Sequence, residues 1–156
     1  MKRRDFWADI SWYDICLEDQ DYIALEEFRH RIRDFLRFSE EAAGYEGLEP
    51  QQHQMLLTIR ALSARDVRGP TIGVLADRLI IRHHSAVGMI NRLVERGLVE
   101  RVRGGPDRRQ VHLKLSDAGL DKLARLSKIH QEELGRSGPQ LVKALGAASE
   151  RWSAGK

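Results

Sequence analysis

The sequence predicts a mainly α-helical chain carrying one small β-hairpin, and three observations predict it. Apolar residues recur at helical spacing through most of the 156 residues. The period changes once, between residues 98 and 115, to strand-like alternation on either side of a Gly/Pro turn. Charge is also unevenly placed: residues 1–50 carry 7 Lys+Arg against 13 Asp+Glu, residues 51–115 carry 12 against 5, and residues 116–156 carry 7 against 5. The modest net charge of +3 therefore conceals a basic middle behind an acidic front.

The first helix is expected from Asp21 to about Ala43, with Leu25, Phe28, Ile32, Phe35, Leu36 and Ala42 as its apolar positions and Gly44 as its stop. Pro50 suits the first turn of a second helix, because the N–H it lacks would have no helical partner there. That helix turns Met55, Leu56, Ile59 and Leu62 inward. A polar loop, Arg65 to Pro70, leads to Thr71 as the cap of a short third helix containing Val74, Leu75 and Leu79. The fourth helix begins near Arg82 or His83. At about 100° per residue, Ala86, Met89, Ile90 and Leu93 share one side, and His84, Val87, Gly88, Asn91, Arg92 and Glu95 the other.

Gly97 reads as a left-handed helix end, followed by two strands, Leu98 to Arg103 and Gln110 to Leu115, around the turn Gly104-Gly105-Pro106-Asp107-Arg108-Arg109. Ser116 caps a long helix with Leu120, Leu123, Leu126, Ile129 and Leu134. Gly138-Pro139 is expected to break it before a last helix carrying Leu141, Val142 and Leu145.

Composition narrows the classes. At 42% hydrophobic and 31% charged the chain is a globular mixture. No apolar run reaches the roughly 20 residues a membrane span requires, and the first residues lack the apolar core of a secretory signal, so a cytoplasmic location without membrane contact is expected. The single cysteine, Cys16, precludes an intrachain disulfide. The glycine-rich, Gly-x-Ser-x-Gly and His-Glu-x-x-His patterns of common catalytic sites are missing, so the reading is of a non-enzyme with no cofactor. His83 and His84 diverge by about 100° on a helix and have no carboxylate at ligand spacing, which argues against a metal site.

Helix, short helix, turn, helix and basic hairpin, in that order, describe a winged helix-turn-helix, in which the second helix of the pair enters the DNA major groove. Within that order stand Leu75-Ala76, Leu93 through Gly97-Leu98-Val99-Glu100-Arg101, and Asp107-Arg108-Arg109 followed by Val111, Leu113, Leu115, Ser116 and Gly119. In these residues the chain resembles the MarR family (multiple antibiotic resistance regulators) over roughly residues 20 to 150. The resemblance implies a homodimeric, sequence-specific transcriptional regulator of double-stranded DNA, a repressor in the first instance. It also implies a dimerisation region built from the N- and C-terminal helices, and a small aromatic effector that releases the DNA. The expected organisation is residues 1–48 as N-terminal extension and first helix, 49–116 as the DNA-binding lobe, and 117–156 as C-terminal dimerisation helices.

Candidate DNA contacts follow from position. His83, His84, Ser85, Val87, Gly88, Asn91 and Arg92 occupy the start and outward side of the fourth helix, facing base edges and phosphates, with Val87 suited to a thymine methyl. Gly88 lets DNA approach closely, at about 1 kcal/mol relative to alanine in a helix interior. In the wing, Arg108 and Arg109 suit the minor groove and Asp107 braces the turn. Arg101, Arg103 and the Thr71 hydroxyl are candidate phosphate contacts. The recognition-helix start, Arg82-His83-His84-Ser85, departs from the Ser/Thr-rich start of many relatives, so their operator sequence does not transfer. Two other readings stand beside this one. A winged helix used for protein contacts would need a recognition face without positive charge, and a thiol-based redox sensor would act through Cys16. Trp7, Trp12 and Tyr13 are expected to pack on the dimerisation region.

Overall fold

The structure, a computed structural model, describes residues 17–103 and 110–154. It contains five helices and two strands among them: α1 (Asp19–Tyr45), α2 (Pro50–Ser63), α3 (Ile72–Leu79), α4 (His83–Glu95), β1 (Val99–Arg103), β2 (Val111–Leu115) and α5 (Asp117–Ala154). The chain divides into two compact units, Phe35–Arg136 and Met1–Asp34 with Ser137–Lys156. Both α1 and α5 run through the boundary.

The larger unit is built by turn chemistry at almost every junction. The left-handed residue ending α1 is Gly47 (φ 67°), three residues beyond the expected stop at Gly44. Its N–H donates to the Gly44 carbonyl (2.9 Å) and Leu48 N–H reaches back to that of Ala43 (2.8 Å), which closes the helix end. Pro50 opens α2, with the Gln52 side chain accepting from Glu49 N–H at 3.2 Å. Thr71 caps α3 as expected, its Oγ1 accepting from Val74 N–H. At the end of α4, Gly97 takes the left-handed conformation expected of it (φ 67°), its N–H donating to the Val94 carbonyl and that of Leu98 to the Leu93 carbonyl. Ser116 then caps α5: its hydroxyl accepts from Gly119 N–H (3.1 Å) and donates to the Gly97 carbonyl (2.6 Å).

β1 and β2 are antiparallel, with Val99 opposite Leu115, Arg101 opposite Leu113 and Arg103 opposite Val111. Thr71 bridges to His112 on the free side of β2, so the hairpin joins the segment leading into α3. His112 is buried and donates from Nδ1 to the Gly69 carbonyl at 2.8 Å. One apolar core lies beneath these elements. Met55, Leu56 and Ile59 of α2, Leu75 of α3, Ala86, Ile90 and Leu93 of α4, Val99 and Leu113 of the hairpin and Leu126 of α5 are all fully or almost fully enclosed. The four apolar positions expected on α4 are its four buried residues.

A polar cluster sits where α1, α2 and α5 meet in this unit. The ring of His130 donates from Nδ1 to the Leu126 carbonyl (2.7 Å), leaving Nε2 to accept from the Ser39 hydroxyl (2.8 Å). The rings of Phe35 and Phe38 stand nearly perpendicular to it, and the buried ring of His53 lies 4.8 Å away, centroid to centroid.

In the second unit the acidic start of α1 meets the end of α5: Arg151 donates from Nε to Asp21 (2.6 Å) and from Nη2 to Glu18 (3.3 Å). Ala144 is its one buried residue among those described.

The expected break at Gly138-Pro139 does not occur, and α5 passes through Pro139 as one helix of 38 residues. A proline inside a helix removes one donor and strains the preceding turn, about 3 kcal/mol. The residues after it, Leu141, Val142, Lys143, Ala144 and Leu145, include strong helix formers that sustain the ladder on the far side.

Candidate nucleic-acid interface

α3, the three-residue turn Ile80–Arg82 and α4 form the helix pair, and the hairpin follows directly. α4 is held by its apolar side, which leaves His83, His84, Ser85, Asn91 and Arg92 exposed and Val87 and Gly88 half-buried. Its first turn has no acidic residue, and the Arg82 side chain makes no capping bond. The free N–H groups of that turn therefore present partial positive charge outward. An added Cβ at Gly88 would meet only Arg92 Nη1 at 3.9 Å, so packing within the protein does not require glycine there.

Arg101 and Arg103 are exposed on β1. Arg101 reaches across to α4, where its Nη2 donates to Asn91 Oδ1 at 2.5 Å. The hairpin and the outward side of the helix are thereby joined into one polar surface. Thr71 is half-buried and its hydroxyl is occupied as a helix cap. Asp107, Arg108 and Arg109 lie outside the described residues, as do Cys16, Trp7, Trp12 and Tyr13.

Beside this surface is an open hollow of about 720 Å³, lined by Arg65, Arg68, Thr71, Ile72, His83 and Gln110 among others. Arg68 is committed to Asp66 through a two-pronged pair (2.7 to 3.1 Å), and that guanidinium holds the Asp66 carboxyl down to about 2. Among the described residues no group of three His, Cys, Asp or Glu side chains is placed to hold a metal, and no helix is long and apolar enough to cross a membrane.

Sequence reasoning passed over two residues that position the interface. Arg96, just after α4, donates to Gln52 Oε1 (2.8 Å) and to the Gly47 carbonyl (2.7 Å), tying the end of α4 to the α1–α2 turn. Glu46 in the same turn receives a two-pronged bond from Arg125 (2.9 and 2.8 Å), while Lys122 donates to its backbone carbonyl at 2.5 Å. Arg125 first, and Lys122 second, hold the Glu46 carboxyl down to about 2. These partners lie 44 to 79 residues apart in sequence, beyond the reach of any local pattern.

An apolar-backed outward helix joined to a cationic two-stranded hairpin defines a winged helix-turn-helix protein. Residues 46–110, which hold the helix pair and the first strand of the hairpin, match the model of the MarR family. No curated protein matches the sequence directly. Among solved structures, the chain is similar to apo MarR from E. coli at 20% identity, covering 90% of this chain and 96% of that one with a TM-score of 0.61. It is similar to a MepR mutant from S. aureus at 16% identity, covering 83% and 96%, with a TM-score of 0.68. A third similar structure is the transcriptional repressor CouR bound to a 23-mer DNA duplex, at 28% identity, covering 78% of this chain and 87% of that one with a TM-score of 0.59.

Proposed function

We propose that this protein is a transcriptional regulator that binds double-stranded operator DNA as a homodimer. The observation that carries the reading is the joined surface of α4 and β1: Asn91, Arg92, Arg101 and Arg103 are exposed together, on a segment with 12 basic against 5 acidic residues. In that role α4 occupies the major groove, Arg101 and Arg103 neutralise phosphates, and the wing residues Arg108 and Arg109, with Asp107 as their brace, follow the minor groove. His83, His84 and Ser85 offer side chains and free backbone N–H groups to a phosphate at the start of α4. Val87 and Gly88 lie where a base edge comes closest. Thr71 contributes to the interface chiefly by holding the start of α3. CouR, a similar protein of known structure, is bound to a DNA duplex, as is a MarR mutant from E. coli.

Dimerisation is supported by the smaller unit. Leu17, Tyr22, Ile23, Leu25, Val142 and Leu145 are exposed there while Ala144 alone among the described residues is buried, so its apolar surface needs a cover that a second copy supplies. Repression, and release by a small aromatic effector, extend the reading on the family resemblance.

The test is binding of the full chain to duplex DNA from upstream of its own gene, followed by fluorescence anisotropy over a range of salt, with sedimentation to establish the oligomeric state. Binding that weakens with salt, and a salt slope reduced by about one unit in Arg103→Ala or Arg109→Ala, is the expected result. A monomer indifferent to duplexes at low ionic strength overturns the proposal, and tight salt-insensitive binding to a protein partner would favour a protein-contact role for the winged helix.

A further inference from the structure

We infer that Asn91 reads its base pair as a hydrogen-bond donor only, and that Arg101 imposes this, so that the position selects guanine rather than adenine. The inference rests on the DNA-binding reading above. An asparagine side chain free at both ends pairs with adenine in the major groove by accepting from N6–H with its oxygen while donating to N7 with its amide. In this protein the oxygen already accepts from a charged donor, which opposes a second one. Arg101 Nη2 donates to Asn91 Oδ1 at 2.5 Å, and a hydrogen bond from a guanidinium is roughly twice as strong as one between neutral groups.

Three consequences follow from that bond. With Oδ1 engaged, the Asn91 amide has its two N–H donors left to offer, and guanine is the base whose major-groove edge presents two adjacent acceptors, O6 and N7. The N6 amino group of adenine would have to share or displace a charged donor at Oδ1, so its approach is opposed. The positive charge of Arg101 beside the contact attracts the acceptor-rich guanine edge and repels an amino group.

The arrangement is held from both sides. Asn91 follows the buried Met89 and Ile90 and precedes the buried Leu93 on α4, so its direction is set by the helix packing. Arg101 stands on β1 opposite the fully buried Leu113, within a hairpin anchored to the core through Val99. Asn91 and Arg101 are both exposed, so the pair faces solvent where a duplex would lie.

The experiment is selection from a library of duplexes with a randomised core, using the full chain as wild type, Asn91→Ala and Arg101→Met, and reading base preference rather than overall affinity. Wild type should select guanine at one position in each half-site, by roughly fivefold or more over adenine. Asn91→Ala should lose that preference, and Arg101→Met, which frees Oδ1, should shift it toward adenine. As a check that needs no variant, 7-deazaguanine at the selected position, which lacks the N7 acceptor, should weaken wild-type binding by a similar factor. Adenine at the Asn91-dependent position in the wild type, an unchanged preference in Arg101→Met, or tolerance of 7-deazaguanine overturns the inference while leaving the DNA-binding reading in place. Failure of the wild type to retain any duplex overturns that reading and the inference with it.

Discussion

Gly119, in the first turn of α5, lies so close to the carbonyl of Leu98 at the entrance to the hairpin that an added Cβ would stand well inside 3 Å of its oxygen. The same oxygen accepts from Ser116 N–H at 3.2 Å. This glycine, part of the motif that marks the wing exit, is therefore required by a backbone-to-backbone contact at the junction of β1 and α5.

Gly119→Ala should consequently destabilise the protein by about 1–3 kcal/mol, the range for overpacking against atoms that cannot yield. Gly135→Ala is the matched control, because a Cβ there meets nothing within 4 Å and alanine favours a helix. Thermal melts should show a lower midpoint for the first and an equal or higher one for the second; equal midpoints for Gly119→Ala and wild type would remove the packing explanation.

Ile80, in the turn between α3 and α4, has φ 55° and is 75% exposed. A β-branched residue in the left-handed region is strained by roughly 1–2 kcal/mol, of which glycine would recover part after its own larger loss of chain entropy. Ile80→Gly should raise stability by up to about 1 kcal/mol, read as a midpoint a few degrees higher. A fall in the midpoint would show that the side chain contributes more by packing than its exposure suggests.

Glu46 links α5 to the α1–α2 turn, and its carboxyl is held at about 2 in the folded state by Arg125 and Lys122. The unfolded chain has it near 4.3, so the stabilisation is complete above that value and is lost as pH falls toward 2. In denaturant unfolding the stability gap between wild type and Glu46→Gln should be open at pH 6 and narrow steadily below pH 4.5. A gap that does not change with pH would mean that the charge is not the source of the stabilisation.

His53 titrates in the opposite chemical sense with the same direction of effect. Burial first, and the nearby His130 second, push its pKa below the usual value of 6.5. The unfolded chain thus takes up a proton more readily than the folded one, and stability that is complete above about pH 6.5 declines as the solution is acidified through the folded-state pKa. Wild type should lose more stability between pH 8 and pH 5.5 than His53→Gln does. Parallel losses in the two proteins would place the acid sensitivity elsewhere.

Elements whose logic is local were legible in the chain. The buried side of α4 follows from the spacing of Ala86, Met89, Ile90 and Leu93, and Thr71, Gly97 and Ser116 mark their helix ends by side-chain or backbone chemistry that acts within a few residues. Pro139 misled because a local penalty of a few kcal/mol can be outweighed by the helix on both sides of it. Gly44 misled by being the nearer of two glycines, when it was Gly47 that took the left-handed conformation.

Period, charge distribution and capping residues alone determined that this chain forms a helix pair with a cationic hairpin behind it, since each of those signals is written over a handful of neighbouring positions. The link from Arg101 to Asn91, the tie from Arg96 to the α1–α2 turn and the clasp of Arg125 on Glu46 were decided only by the tertiary structure. Those contacts join residues 10 to 79 positions apart, and a long, exposed arginine has many partners within reach until packing brings one acceptor to it.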